Sequence, residues 1–387
     1  MKHITVFLIL MCTFLVNAQQ KPFIISGKIK GLDCKEISIR IADNTLSQGF
    51  RRYDFPVTDE SFTANLDIAE PTYLTISPGL DRVIKTAKGG GYYPVKSSLL
   101  QCIAMPGESI NFSGVITDFV DAYPFGEKAN AELGELNKLI NPLTNESVNI
   151  KIRAGYLLKD DSITMRKMSD SMLVLDNKTN EIKKSFIKKN KSSIAAVWLL
   201  SDMMIRSQVS NEEASSFFKA MNKDKLYTIS YYKEVAKRVD AISAIKVGNT
   251  VPEISSLNTY DGGAFVLSSL RGKYVVLDFW GTWCGPCIAG MPKMKEYREK
   301  YQGKVEIVGV AQESDNGEKW KKFLQNKPQY QWPHILNIKT EKDYILQFNV
   351  AGFPTKIIVD PAGVIVGRFV GEDDAIYKKL DELLFSN

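Results

Sequence analysis

Two cysteines separated by two residues are the side chains with the clearest chemistry in this sequence. Cys284 and Cys287 lie in the segment WGTWCGPC, residues 280–287, which follows an apolar run and opens a predicted helix. A thiolate at a helix N-terminus is stabilised by unpaired backbone N–H groups and by the positive end of the helix dipole. Thiols in such motifs have pKa values of about 3.5–7.5. We therefore predict a redox pair in which Cys284 is the exposed attacker of a disulfide and Cys287, one turn inside, resolves the mixed disulfide.

Paired cysteines at this spacing also bind zinc, so a metal site is an alternative. A tetrahedral site needs two more ligands, and beyond the first eighteen residues the sequence offers only Cys34, Cys102 and His334. Covalent haem attachment is excluded because no histidine follows Cys287. We predict no metal, and no cofactor other than the redox-active cysteine pair.

A single carboxylate interrupts the apolar run before the cysteines. Residues 274–279 resemble a strand that is buried on both faces, and Asp278 lies inside it. Burying a lone carboxylate is costly and raises its pKa. A raised pKa suits a proton acceptor for Cys287 during resolution, so we predict that Asp278 is catalytic. A chance position at the edge of a sheet is the alternative.

Alternating strands and helices follow from about residue 247 and would position these side chains. Residues 360–363, Asp-Pro-Ala-Gly, predict the turn of a hairpin. The pattern indicates an α/β fold around a mixed sheet. Its predicted elements are strands at 274–279 and 305–311, helices at 291–301 and 316–325, a hairpin of 355–359 with 364–369, and a closing helix at 373–385.

Residues 247–387 resemble the thioredoxin superfamily, and more closely its TlpA/ResA type of exported thioredoxins. Four matches lie in register: Asp278 as the buried acid, Trp283 beside the attacking cysteine, Pro292 within the active-site helix, and the loop Phe353-Pro354-Thr355, whose proline is cis in the family. The resemblance implies a thioredoxin-like fold and a thiol–disulfide oxidoreductase. It also implies that substrate binds at Trp283, Gly285, Pro286, Phe353 and Pro354.

Two positions refine this resemblance. TlpA/ResA proteins often carry a glutamate on the active-site helix shortly after the second cysteine, and here that position is Gly290. We expect Asp278 to carry the acid–base chemistry alone. The dipeptide Gly285-Pro286 is that of reducing thioredoxins, which implies a reductase, although an oxidising compartment could drive the reaction the other way.

The N-terminal part of the chain has two different patterns of apolar residues. Short alternating segments between residues 23 and 117 predict an antiparallel β-domain over residues 19–120. Apolar residues spaced by three and four predict an α-helical region over residues 121–246. Together these regions loosely resemble those fused to such thioredoxins in Gram-negative envelope proteins. We expect them to position partners or to form a homodimer.

Cys34 and Cys102 lie in the predicted β-domain and could form a structural disulfide in an exported protein. A pair of cysteines in so long a region is not a disulfide scaffold. We favour free, buried thiols.

The first residues indicate export. Lys2 precedes an apolar run over residues 4–16 and the small residues near Ala18, which predicts a secretory signal peptide at residues 1–18. An uncleaved membrane anchor is the alternative, but the run is shorter than the roughly 20 residues that span a bilayer. Cys12 follows Leu10-Met11 and not the small residues of a lipoprotein signal. We expect a protein of the periplasm or cell envelope of a Gram-negative bacterium.

The overall charge excludes one class of partner. The 387 residues carry 50 Lys and Arg against 44 Asp and Glu, a formal charge of +6. Nucleic-acid binding requires a clustered basic surface, and this excess is too dilute for one. The partners that we expect are disulfide-containing exported proteins and a membrane thiol relay that donates electrons.

Two other functions stay open at this point. A thiol peroxidase of the AhpC/TSA type shares the fold, but the Pro and Thr that precede its attacking cysteine have no counterpart at Leu277 and Gly281. A binding or chaperone module with incidental cysteines is the third possibility.

Overall fold

The computed structural model describes residues 21–42, 50–156, 161–338 and 342–385. The predicted signal peptide at residues 1–18 lies outside these ranges. Within them, no helix is long and apolar enough to cross a membrane.

Alternating residues in the N-terminal region form two sheets that share one core. The strands are β1 (Phe23–Lys30), β2 (Glu36–Ala42), β3 (Phe50–Pro56), β4 (Ser61–Leu66), β5 (Thr72–Ser77), β6 (Lys85–Thr86), β7 (Tyr92–Tyr93), β8 (Leu100–Ala104), β9 (Ser109–Ile116) and β10 (Val120–Gly126). In the described residues the two sheets have the orders β10-β9-β1-β4 and β3-β2-β5-β8, and β6 pairs with β7 in a separate two-stranded ribbon. Phe23 and Phe112 of the first sheet and Ile39 of the second belong to one buried cluster, so the sheets form a sandwich.

The β-rich fold is confirmed, with two differences from the predicted antiparallel domain over residues 19–120. Strands β1 and β9 pair in parallel, which the long connection between them permits. Strand β10 pairs with β9 and continues the sheet to Gly126, beyond residue 121 where we predicted the helical region to begin. The buried side chains of Val120 and Ala122 explain this, because they complete the alternating face that covers the core.

The helical region packs against the second sheet. Its helices are α1 (Lys128–Tyr156), α2 (Ser162–Lys189), α3 (Ile194–Ile205), α4 (Asn211–Ala220), α5 (Lys223–Leu226) and α6 (Ser230–Ala244). Helix α3 is buried along most of its length and lies at the centre of this core. Ile103 of β8 belongs to the same buried cluster, so the sandwich and the helices share an apolar interface.

The C-terminal region is the predicted α/β fold around a mixed sheet. Its elements are β11 (Ser255–Ser256), β12 (Phe265–Val266), β13 (Tyr274–Trp280), α7 (Gly285–Lys300), β14 (Val305–Ala311), α8 (Glu318–Gln325), β15 (His334–Leu336), α9 (Tyr344–Gln347), β16 (Thr355–Val359), β17 (Ile365–Val370) and α10 (Ala375–Phe385). The sheet order is β15-β14-β13-β16-β17. Strands β13 to β15 are parallel, and β16 and β17 run antiparallel to their neighbours.

The central strand β13 positions the predicted acid. Val276 and Trp280 belong to the core on the side of α7 and α10, whereas Leu277 and Phe279 belong to the core on the opposite side. Side chains alternate along a strand, so Asp278 points to the same side as Val276 and Trp280. The carboxyl group therefore lies on the face of the sheet that α7 covers.

Candidate active site

The two cysteines form a disulfide at the N-terminus of α7. Their Cα atoms are 5.3 Å apart, and Cys284 is the N-cap residue of the helix. The Cys284 sulfur accepts a hydrogen bond from the backbone N–H of Cys287 at 3.3 Å. Pro286 lies in the first turn, where a missing N–H costs no helical hydrogen bond. The sulfur of Cys284 thus occupies the place where a helix stabilises negative charge.

Exposure distinguishes the two cysteines less than we predicted. Cys284 is only 5% exposed in the disulfide form, whereas Cys287 is completely buried. The expected exposed attacker is therefore nearly buried, because both sulfurs pack into the core beside α7. Cys284 is still the cysteine with the greater access to solvent.

An aromatic pair borders the disulfide. Trp283 is 58% exposed, and its ring meets that of Phe353 edge to face with 5.0 Å between centroids. The Phe353–Pro354 peptide bond is cis. The Pro354 carbonyl accepts a hydrogen bond from Gly371 N–H at 2.8 Å. The structure therefore brings the segment before α7 together with the loop before β16.

Two residues that the sequence analysis missed shape the segment before Cys284. The Glu313 carboxylate accepts hydrogen bonds from the backbone N–H and the hydroxyl of Thr282, at 2.7 and 2.9 Å. The Trp283 indole N–H donates to the carbonyl of Gln312 at 2.8 Å. Gln312 and Glu313 directly follow β14, and the carboxyl ends of parallel strands lie at a common edge of the sheet. That rule was the signal that could have identified them.

Gly281 is required by this arrangement. A Cβ atom there would lie 2.5 Å from the Trp283 indole nitrogen and 2.8 Å from the Gln312 carbonyl oxygen. Real Cβ atoms do not approach other atoms so closely. Any side chain at position 281 would displace the indole or break its hydrogen bond.

Asp278 is a buried acid, as predicted from the apolar run around it. It is 1% exposed, and neither carboxyl oxygen has a hydrogen-bond partner in the described residues. Burial raises the pKa of Asp278 to about 7, opposed by the positive charge of Lys356 and reinforced by the negative charge of Glu372. An acid that titrates near neutral pH can accept a proton from a thiol and release it again.

Lys356 and Glu372 are two further charged groups that sequence reasoning missed. Lys356 lies opposite Asp278 in the pairing of β13 with β16, with 3.9 Å between its Nζ and the nearer carboxyl oxygen. Its side chain is 1% exposed, and its ammonium group forms an ion pair with Glu372. The sequence signal for this pair was a lysine within the apolar strand of residues 355–359. A buried lysine needs an oppositely charged partner, so its position implied a nearby carboxylate.

The other residues that were considered as zinc ligands are not grouped with the cysteine pair in the described residues. His334 is buried, its Nε2–H donates a hydrogen bond to the Tyr330 carbonyl at 3.0 Å, and burial lowers its pKa to about 4. Cys34 and Cys102 are free thiols of the sandwich, and burial raises the pKa of each. Cys34 is only half-buried, in contrast to our expectation. In the part of the chain that the structure describes, no three His, Cys, Asp or Glu side chains are grouped to hold a metal ion.

Comparisons with known proteins agree with this geometry. The Redoxin family model matches residues 246–384. The thioredoxin-like protein YneN of Bacillus subtilis is 33% identical over 128 residues, which are 33% of this chain and 73% of that protein. The thiol-disulfide oxidoreductase ResA of Bacillus anthracis is 34% identical over 130 residues, covering 33% of this chain and 72% of ResA. The chain belongs to the ResA-like thioredoxins.

The ResA-like part of the chain is therefore a thiol–disulfide oxidoreductase domain of the thioredoxin superfamily. A solved structure, the thioredoxin domain of a thiol-disulfide oxidoreductase from Bacteroides vulgatus, is 28% identical. Its TM-score is 0.33, and the match covers 36% of this chain and 97% of that one. The β-sandwich and the helical region precede the residues that the Redoxin model matches.

Proposed function

We propose that this ResA-like protein reduces disulfide bonds of exported proteins. The observation that supports it best is the cysteine pair itself: Cys284 caps α7 with its sulfur on a backbone N–H, and Cys287 is completely buried behind it. A substrate disulfide can then reach Cys284 first, and Cys287 reacts only within the mixed disulfide.

The reaction proceeds in two exchanges. The Cys284 thiolate attacks one sulfur of the substrate disulfide, which forms a mixed disulfide and releases the first substrate thiol after it takes up a proton. Cys287 then gives its proton to Asp278 and attacks the Cys284 sulfur, which releases the second substrate thiol. The substrate gains two electrons, and the enzyme is left with the Cys284–Cys287 disulfide that the structure contains.

Trp283, Gly285, Pro286, Phe353 and Pro354 form the proposed substrate surface. Gly285 and Pro286 are exposed beside the cysteines, and Trp283 contributes a large exposed ring. Exposed aromatic side chains next to a reactive sulfur favour the binding of an extended polypeptide. This surface supports a protein substrate in preference to peroxide.

Oxidised glutathione tests the two roles of the cysteines in the full chain. We expect Cys287→Ala to accumulate a glutathione adduct on Cys284, and Cys284→Ser to form none at either position. Cys102→Ala is the control, since this buried thiol lies in the sandwich core, and it should release two glutathiones for each oxidised chain. Adduct formation mainly on Cys34, or efficient reduction by Cys284→Ser, would refute the mechanism. Rapid consumption of hydrogen peroxide would favour the peroxidase instead.

The physiological setting follows from the predicted signal peptide. We propose export to the periplasm or cell envelope of a Gram-negative bacterium, where a membrane thiol relay reduces the Cys284–Cys287 disulfide again. Cells that express Cys287→Ala should contain mixed disulfides with exported proteins in the envelope fraction, identifiable by mass spectrometry. A cytoplasmic chain that retains residues 1–18 would contradict the proposal.

The β-sandwich and the helical region are proposed to position partners or to form a homodimer. Sedimentation of the full chain over a range of concentrations tests the second part. A monomer at all concentrations would leave partner positioning as their role.

A further inference from the structure

Glu372 brings a second carboxylate to the buried acid of the site. It lies on the loop between β17 and α10, and one of its oxygens accepts a hydrogen bond from the Lys356 ammonium. The hydroxyl of Tyr377, on α10, donates to the other oxygen at 3.3 Å. Side chains from two different elements therefore fix the position of this carboxylate.

Gly290 provides the space for it. A Cβ atom built on Gly290 would lie 2.4 Å from the carboxyl carbon and from both carboxyl oxygens of Glu372. Gly290 is on α7, three residues after Cys287. TlpA/ResA proteins often carry a glutamate at this position of the helix. Here the helix has no side chain, and a carboxylate arrives from the loop before α10.

The three charged groups differ in their access to solvent. Asp278 and Lys356 are each 1% exposed, whereas 24% of the Glu372 side chain is exposed. Glu372 is thus the charged side chain of this cluster with the greatest access to solvent. Tyr377, the titratable side chain that α10 contributes, is kept protonated because burial raises its pKa.

Glu372 also weakens the electrostatic interaction between Asp278 and the Lys356 ammonium group. The Lys356 ammonium is in direct contact with Glu372 but 3.9 Å from Asp278. With Asp278 protonated, the cluster has no net charge, and ionisation of Asp278 leaves one uncompensated negative charge in a buried site. A buried uncompensated charge is unfavourable, so Glu372 favours the protonated form of Asp278.

We propose that Glu372 is a positioning residue for the resolving step. Its carboxylate holds the Lys356 ammonium group and so makes Asp278 a stronger base towards Cys287. This rests on the function proposed above. When Cys287 attacks Cys284, its proton passes to Asp278, the bond between Cys284 and the substrate breaks, and the departing substrate thiolate takes a proton from water. The proton on Asp278 is then lost to solvent, which restores the base for the next turnover.

The pH dependence of the resolving step tests this role. The reduced full chain is mixed with oxidised glutathione between pH 5 and 9 and quenched in acid. Mass spectrometry then follows conversion of the glutathione adduct into the internal disulfide. Glu372→Gln retains a hydrogen-bond acceptor for Lys356 but removes the negative charge, so Asp278 should ionise at lower pH. We expect the midpoint of the resolving rate to fall by about one pH unit. The rate at high pH should decrease about threefold to tenfold, because Asp278 becomes a weaker base.

Two further variants separate charge from folding. Gly290→Ala keeps every charge but displaces the Glu372 carboxylate, and should lower the midpoint in the same direction. Asp374→Asn removes a charge from the exposed end of the same loop and should leave the profile unchanged. Thermal melts establish that each variant is folded under the conditions of the assay.

The outcomes are distinguishable. If the wild type forms no adduct on Cys284, the proposed function is wrong. If the wild type reacts through both cysteines but folded Glu372→Gln and Gly290→Ala have the wild-type profile, the role of Glu372 is wrong and the function stands. A midpoint that rises in both variants would also overturn it.

Discussion

A carboxyl group that is buried without a hydrogen-bond partner destabilises the fold whenever it is ionised. Asp278 has this environment, and burial raises its pKa from 3.8 to about 7. Between these values the native chain holds a proton that the unfolded chain has lost, so stability falls as the pH rises through this window. We expect Asp278→Asn to increase the free energy of unfolding at pH 8 by about 2–4 kcal/mol and to change it little at pH 4. Denaturant titrations of the oxidised protein at the two pH values measure this difference.

The exposed Asp170 on α2 provides the control, since Asp170→Asn should give the same small change at both pH values. An equal effect of Asp278→Asn at pH 4 and pH 8 would show that the native Asp278 titrates as an ordinary aspartate.

The position of Trp283 depends on a glycine two residues earlier. Gly281→Ala would force the indole away from the Gln312 carbonyl, because a Cβ atom there would lie 2.5 Å from the indole nitrogen. We expect adduct formation with oxidised glutathione, measured in a Cys287→Ala background, to slow by about tenfold, since reactive groups must be closely positioned. Gly155→Ala, with open space around position 155, is the control and should leave the rate unchanged. An unaltered rate in folded Gly281→Ala would show that the indole position does not matter for attack.

Sequence reasoning identified the residues of the site that are close together in the chain, and it missed those that come from distant segments. Cys284, Cys287 and Asp278 share one strand–helix segment, and the apolar run around Asp278 already implied its burial. Lys356 and Glu372 approach from β16 and from the loop after β17. Their contacts depend on strand register and on the space above Gly290, which no local pattern encodes.

Edge strands are the elements whose unpaired backbone groups need an explicit partner. Strand β8 lies at one edge of its sheet, and the side chain of Asn130 on α1 bonds both the N–H and the carbonyl of Ile103, at 2.8 and 2.7 Å. Asn130 is completely buried, so Asn130→Ala would leave two buried backbone groups unpaired. We expect a loss of about 2–4 kcal/mol in the free energy of unfolding. Amide hydrogen exchange at Ile103 should also accelerate.

Asn177 is exposed on α2 and gives a matched control. Asn177→Ala should change stability by only about 0.5 kcal/mol, in the stabilising direction, because alanine is the better helix former. Equal effects at positions 130 and 177 would show that the contact between α1 and β8 contributes nothing.

The order of strands and helices along the chain was more predictable than the pairing of the strands in the sheets. Periodicity identified the longer strands and helices of the C-terminal region, because each has a clear apolar pattern. It missed the short elements β11, β12, β15 and α9. It could not reveal that β1 pairs in parallel with β9, since pairing between distant strands leaves no local signal. It also missed β10, whose alternation is short and adjoins the long helix α1.

Across the whole molecule, the helical region and the ResA-like domain are joined by packing as well as by the chain. Helix α6 packs against α9. Residues 248–251 run alongside the hairpin of β16 and β17, where Gly248 N–H donates to the Ile365 carbonyl and Val251 N–H donates to the Gly363 carbonyl. Ile245, directly after α6, lies in the core of the C-terminal sheet with Phe348. The ResA-like domain therefore uses a residue that precedes the start of the Redoxin match at residue 246.

This shared core gives a prediction about the whole chain. Ile245 is 5% exposed, whereas Val247, two residues later, is 63% exposed. Ile245→Ala would remove buried methyl groups and should destabilise the ResA-like domain by about 2–4 kcal/mol. Val247→Ala should stay within about 0.5 kcal/mol of the wild type. Tryptophan fluorescence during denaturant unfolding reports mainly on this domain, because four of the five tryptophans (Trp280, Trp283, Trp320 and Trp332) lie within it and Trp198 lies on α3. If both variants unfold at the wild-type denaturant concentration, the end of α6 is not part of the domain core, and the helical region serves only as a tether.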